Sequence, residues 1–145
     1  THCMRWLGLS KRCLEEASSY VAHRMSFGQT LAAHEGVQWM LGDVAKDIQI
    51  GRLLTMQAAW KLDQGDFARS DISIAKIHAA DTLHKAADTA IQLLGARGYS
   101  KDTIVEWIYR YARQARLVDG ASEIHKMVLS RAYLSEGQDF FRWGV

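Results

Sequence analysis

"VQWMLGDVAKDIQIGRLLTMQAAWKL", residues 37–62, places Val37, Leu41, Val44, Ile48, Gly51, Thr55, Ala58 and Leu62 at alternating steps of four and three. Such steps put all of these positions on one stripe of an α-helix, and a stripe this long is a bundle seam rather than the single contact face of a surface helix. The run stops at "DQGDF" (63–67), where Gly65 is a natural C-terminal stop. Upstream, Cys3 to His23 repeats Leu7, Leu14, Ala17 and Val21 on one face, and "MSFGQ" (25–29) breaks it. Downstream, a third helix is expected from about Ser70 to Leu94, with Ala75, Ala79, Leu83, Ala86, Ala90 and Leu93 inward; residues this small allow close helix approach. "GARGYS" (95–100) reads as a glycine loop, a short helix covers Thr103 to Arg113, and a last helix starts near Asp119. There is no proline in the chain, and strand-like alternation is hard to find. The expected fold is all-α, an antiparallel up-down bundle of four or five helices, in a single domain spanning residues 1–145 with no internal repeat or low-complexity linker.

Bulk properties narrow the function. A chain of 145 residues buries a real core. Its 18 basic and 16 acidic residues leave a net charge of +2, scattered rather than gathered into an aromatic-laced basic stripe, so nucleic acid is not an expected partner. Cys3 and Cys13 stand ten residues apart on one predicted helix, too far along its axis to bridge, and read as reduced packing residues of a reducing compartment. No apolar run approaches the roughly 20 residues that span a bilayer. Because the sequence opens on "THCMRWLGLS", already in helical rhythm and without an initiator methionine, it is expected to be part of a longer protein.

Most constellations that could carry chemistry fail on spacing. His34-Glu35 lacks a second histidine four residues after the first, so it is not a zinc-protease arrangement. His78, Asp81, His84 and Asp88 share a helix, but at about 100° per residue they do not converge on one ion, and no metal site is expected. "DQGDFARSD" misses the calcium-loop register, and "GARGY" follows no strand, so it is not a dinucleotide fingerprint. The tryptophans at 6, 39, 60, 107 and 143 read as core or interface anchors.

One further stretch asks a question of its own. "RQARLVDGASEIHKMVLSR" (113–131) interrupts a helix-like run with Asp119-Gly120 and restarts it at once. From the residues alone, Asp119 reads as the N-cap of the last helix. Taken with "RMSFGQTLAAHEGVQWMLGDVA" and "AKIHAADTLHKAADTAIQLLGARGY", it gives a second reading. The three stretches, in this order and spacing, resemble the C-terminal helical domain of the acyl-CoA dehydrogenase family: Arg-x-x-Phe-Gly into a long helix, Ala-Lys followed by Gln-x-x-Gly-Gly-x-Gly-Tyr, then acid-Gly-small-Ser-x-Ile. The resemblance covers about residues 1 to 135. The Asp-Gly variant with His after the Ile is similar to a branch whose animal members carry a kinase-like domain upstream.

The resemblance implies a role for each matching residue. Asp119 takes the place of the base that removes the α-proton of a CoA thioester while the β-hydrogen leaves as hydride to flavin N5; most relatives using this position carry Glu, one methylene longer. In some relatives the base sits instead at the start of the first bundle helix, which would fall just before Thr1. Arg24 and Phe27 match the Arg that reaches the diphosphate of FAD in a neighbouring subunit and the Phe beside it. Gln92 and Gly95 match the Gln and first glycine on the adenosine side of FAD, and Ala96 replaces the second glycine. Ala121 stands where relatives often have Thr, Glu123 where many have Gln, and Glu35 likewise replaces a common Gln.

At the level of the whole protein, the resemblance implies an FAD-dependent dehydrogenase acting on an acyl-CoA, a homodimer or homotetramer, and electron-transfer flavoprotein as acceptor. An N-terminal helical domain and a central β domain precede the bundle in relatives, so the fragment alone is expected to bind FAD poorly. An acyl-CoA oxidase, or a non-catalytic helical scaffold, is the alternative. Mitochondrion, peroxisome and bacterial cytoplasm all fit.

Overall fold

The computed structural model describes residues 1–142, and Trp143 lies outside them. Six helices follow one another: α1 His2–Val21, α2 Glu35–Asp63, α3 Arg69–Leu94, α4 Ala96–Tyr99, α5 Val105–Gln114 and α6 Ser122–Glu136. Short 3-10 segments at Leu31–Ala33 and Gly137–Phe141 flank them, and the only strands among the described residues are β1 Met25–Ser26 and β2 Gln29–Thr30.

Helix α3 is the axis. It packs against α1, α2, α4, α5 and α6. All six positions expected inward on α3 are buried: Ala75, Ala79, Leu83, Ala86, Ala90 and Leu93. Four are alanines, so the neighbouring backbones come close without a thick layer of side chains between them. Onto this face α1 lays Trp6, Leu7, Cys13, Ala17 and Val21, α2 lays Val44 and Ile48, and α5 lays Val105, Ile108 and Ala112. The close approach is visible at Gly51 of α2, where an added Cβ would lie 2.6 Å from the Leu7 side chain and 3.2 Å from that of His78. His78 seals the same α2–α3 contact by donating from Nε2 to the Asp47 carbonyl at 2.8 Å.

The seam on α2 holds from Val37 to Ala58 but not to its last expected member. Leu62 is exposed, since the final turn meets α3 through Lys61, whose ammonium sits 2.9 Å from the Asp71 carboxylate. Four other boundaries differ from the sequence reading. The "MSFGQ" break is a tight antiparallel hairpin, with Phe27 and Gly28 both at positive φ, 51° and 80°. "GARGYS" is a stop followed by a helical turn: Gly95 breaks α3 at φ 61°, and Ala96–Tyr99 coil again as α4. The short fifth helix runs from Val105 to Gln114 rather than from Thr103. The last helix begins at Ser122, three residues after Asp119, because Asp119 (φ 54°) and Gly120 (φ 85°) are both left-handed and cannot start a right-handed helix.

Of the four described tryptophans only Trp6 is a core residue; Trp39, Trp60 and Trp107 are all exposed. Neither cysteine is bridged, and burial pushes the Cys13 thiol up to about 12. Cys13 should therefore stay inert to a maleimide at pH 8 in the native chain and react on addition of denaturant; rapid native labelling would show that α1 detaches from α3. Gly98 is the steric pinch point of α4, where an added Cβ would stand 2.8 Å from Leu94 Cβ and 2.9 Å from Ile91 Cα. Gly98→Ala is expected to destabilise the domain by about 1–3 kcal/mol, read as a drop in thermal midpoint.

Candidate functional site

The residues singled out in the sequence fall into two clusters at opposite ends of α3. One gathers Arg24, Gln92 and Gly95; the other gathers Asp119, Ala121 and Glu123. Ser73 and Gln92, which mark the two ends, are 19 residues apart on one helix, so the clusters are separated by about 28 Å.

At the C-terminal end of α3, Arg24, Gln92, Gly95 and Arg97 line a groove of 430 Å³ with Tyr20 and Leu31. Arg24 follows the end of α1, where its N–H donates to the Tyr20 carbonyl at 3.0 Å. A second groove of 380 Å³ continues past Arg24 and Arg97 to His23 and Glu16. Among the described residues neither guanidinium has an ion-pair partner, because Glu16 is held by Arg12 at 2.6 Å. Two guanidiniums and an amide form a donor-rich set of the kind that suits a diphosphate. Gly95 contributes through its backbone: its φ of 61° is one that side chains rarely adopt, while the space where a Cβ would stand is open.

Phe27 projects from the tip of the hairpin, 96 % exposed. His34, given no role in the sequence, supports that tip. Its Nε2 donates to the Ser26 carbonyl at 3.1 Å, Gln29 donates to its Nδ1 at 3.2 Å, and its ring meets Phe27 edge-on at 6.4 Å. Glu35 is exposed in the first turn of α2.

At the other end, Asp119 is not the cap of α6; Ala121 holds that position, with no side-chain bond to the helix. The Asp119 carboxylate instead pairs through Oδ2 with Nδ1 of His2, whose ring stacks on Trp6 at 5.8 Å. Its side chain is 48 % exposed and stands on the rim of a 590 Å³ groove lined by Phe67, Ile72, Ile124 and Val128 as well as Ser73 and His125. Both carbonyls of the Asp119-Gly120 turn are engaged. Lys76 Nζ donates to Gly120 O at 2.7 Å, and His125 Nε2 to Asp119 O at 3.1 Å. Ala121, half-buried, carries the chain from this turn into α6.

Lys76 was missed as a site residue, although the signal was present: a lysine beside the inward alanines of α3. It is 4 % exposed, and its ammonium lies 5.9 Å from the Trp6 ring centre. Burial holds it below the usual lysine range, with the charge of Asp119 opposing that shift. Glu123 pairs with Arg116. The α6 backbone N–H and the Arg116 guanidinium, at 2.9 Å, hold its carboxyl below the usual range. Among the described residues no group of three His, Cys, Asp or Glu side chains is placed to hold a metal ion. No described helix is long and apolar enough to cross a membrane.

Residues 1–134 match the family model for the C-terminal domain of acyl-CoA dehydrogenases. A probable acyl-CoA dehydrogenase of Mycobacterium tuberculosis is 36 % identical over 99 % of this chain and 36 % of its own length. A solved putative acyl-CoA dehydrogenase from Mycobacterium abscessus superposes with a TM-score of 0.90 at 34 % identity, over 93 % of this chain and 34 % of its own. Butyryl-CoA dehydrogenase from Megasphaera elsdenii does so with a TM-score of 0.88 at 30 % identity, over 91 % and 34 %. The chain thus spans about a third of the length of such relatives. It belongs to the acyl-CoA dehydrogenase family, as that family's C-terminal helical domain.

Proposed function

We propose that this chain is the C-terminal part of an FAD-dependent enzyme that introduces a double bond between the α and β carbons of an acyl-CoA thioester, with Asp119 as the base. The observation that carries the reading is the setting of Asp119. A half-exposed carboxylate stands on a doubly held left-handed turn, at the mouth of an apolar groove between α3 and α6.

The α-proton of a thioester is weakly acidic, so its base must be placed in advance rather than recruited from solvent. Oδ1 of Asp119 has no partner among the described residues, whereas Oδ2 is occupied by His2. Oδ1 is therefore the atom that takes the proton, and the His2 contact restricts how the carboxylate turns. Phe67, Ile72, Ile124 and Val128 supply apolar surface suited to an acyl chain and to excluding water. FAD, when bound, supplies the acceptor for the β-hydride. At the far end of α3, Arg24 and Gln92 would hold the diphosphate and adenosine side of the flavin of a neighbouring subunit, with Arg97 adding a second cation.

The distance of about 28 Å between the clusters supports assigning them to two different flavins, Arg24 and Phe27 serving that of a neighbouring subunit. This implies a homodimer or homotetramer. The exposed apolar side chains of α2, Trp39, Leu53, Met56 and Trp60, provide surface for such contacts. Electron-transfer flavoprotein is the proposed acceptor of the reducing equivalents.

In the full-length protein, Asp119→Asn is expected to lower turnover about a hundredfold to ten-thousandfold while leaving the bound flavin spectrum intact. Turnover within a factor of a few of the unsubstituted protein would move the base to a residue upstream of Thr1. The chain of residues 1–145 alone presents only one wall of each flavin site. Fluorescence titration with FAD is expected to show no saturable micromolar binding, and stoichiometric binding would contradict the two-subunit arrangement.

A further inference from the structure

His125 lies in the first turn of α6, and nothing in the proposed chemistry uses it. Its ring nonetheless joins two distant parts of the chain to the turn that carries Asp119. Nε2 is 3.1 Å from the carbonyl oxygen of Asp119, and Nδ1 is 3.0 Å from Oγ of Ser73 on α3. A carbonyl oxygen only accepts, so Nε2 bears the hydrogen. In the neutral ring Nδ1 is then the acceptor, and the Ser73 hydroxyl donates to it. Ser73 is 2 % exposed, which shields this bond from competing water.

The ring also packs directly under the turn. A Cβ at Gly120 would lie 3.0 Å from His125 Nε2, so a side chain there would press on the imidazole as well as strain a backbone at φ 85°. Asp119, a non-glycine residue at φ 54°, sits in left-handed backbone space, which contacts around the turn help to hold. The bond from His125 is one of those contacts, and it acts on the carbonyl of the residue whose carboxylate faces the groove.

We propose that His125 is a positioning residue for Asp119. It fixes the location of the carboxylate by holding the backbone of the same residue, and Ser73 selects the tautomer that does so. This inference rests on reading Asp119 as the base. It adds that the base is aimed from α3, through the hydroxyl of Ser73 and the imidazole of His125.

The test uses the full-length flavoprotein and three variants measured beside Asp119→Asn. His125→Phe keeps the ring bulk and removes both hydrogen bonds. It is expected to lower kcat by about tenfold to a hundredfold, the loss that a displacement on the order of 1 Å produces, with KM and flavin content little changed. Exchange of the thioester α-hydrogen with deuterated solvent should slow by the same factor. His125→Gln, which can still donate to the Asp119 carbonyl, should recover most of the rate. Ser73→Ala leaves the imidazole in place and frees only its tautomer; a loss of about threefold to tenfold is expected, the worth of one neutral hydrogen bond. If Asp119→Asn is inactive and His125→Phe folds and turns over normally, the base is correct and the positioning role of His125 is overturned. Should His125→Phe fail to hold flavin, an unchanged kcat in Ser73→Ala overturns the proposal by itself. If Asp119→Asn remains active, the reading of the base fails and takes this inference with it.

Discussion

The alanine face of α3 is the constraint on which the rest of the structure depends. Ala75, Ala79, Ala86 and Ala90 are each at most 2 % exposed, and Leu83 among them is fully buried. Short side chains bring neighbouring backbones close, and close backbones fix the relative placement of helices more tightly than long side chains, which can repack. That precision matters at both ends of the helix. The Arg24 groove and the Asp119 turn are built largely from residues on other elements, and each is referred to α3 by specific contacts: Leu93, Leu94 and Gly95 at one end, Ser73 and Lys76 at the other.

Burying Lys76 in that framework is unfavourable unless its charge is answered. Three groups answer it: the Gly120 carbonyl at 2.7 Å, the face of Trp6 at 5.9 Å and the nearby charge of Asp119. They come from two elements other than the lysine's own. α1 brings Trp6, the α5–α6 connection brings Asp119 and Gly120, and α3 brings the lysine itself. Removing the cation would therefore disturb both the packing of α1 and the conformation of the turn. His2 adds a second tie between α1 and the same carboxylate, and it rests on the same tryptophan.

What the sequence made legible was periodic. The six positions expected inward on α3 are all buried, and most of the α2 seam and the order of the helices hold as well, because a repeated 3.6-residue pattern averages over many positions; the buried face of α3 is nevertheless wider, taking in Lys76, Ala80 and Ala87. The family of the chain was legible from three motifs in register. The errors lie at element ends, where one or two residues decide. Leu62 fits the apolar pattern but loses to the Lys61–Asp71 pair across the interhelical turn. Asp119 resembles a helix cap, yet positive φ at two successive residues delays α6 to Ser122, and no periodicity encodes that. The supporting residues were also hidden. Ser73, Lys76, His125 and His34 act through partners as many as 52 residues away in the chain, and pairings at that range are absent from a linear pattern.

Those hidden residues bear on the proposed role of Asp119, whose side chain is one methylene shorter than the glutamate that the family resemblance implies for a base at this position. A glutamate has an additional rotatable bond and can reach a substrate from an imperfectly placed backbone. An aspartate has one rotatable bond fewer, so the position of its carboxylate is tied more closely to that of its Cα and χ1. Shortening the side chain thus moves the burden of placement from rotamers to the main chain. The turn has the features this demands: two successive left-handed residues, a carbonyl held by a buried lysine, and another held by an imidazole that is itself anchored to α3. The groove beyond the carboxylate is formed by α3 and α6, the same two helices that hold the turn, so base and groove wall shift together if α6 moves. A short acid on a stiff backbone should tolerate less variation in substrate placement than a long acid on a flexible one. On the proposed reading, selectivity for an acyl chain would then reside in the apolar lining contributed by Phe67, Ile72, Ile124 and Val128 rather than in any adjustment by Asp119.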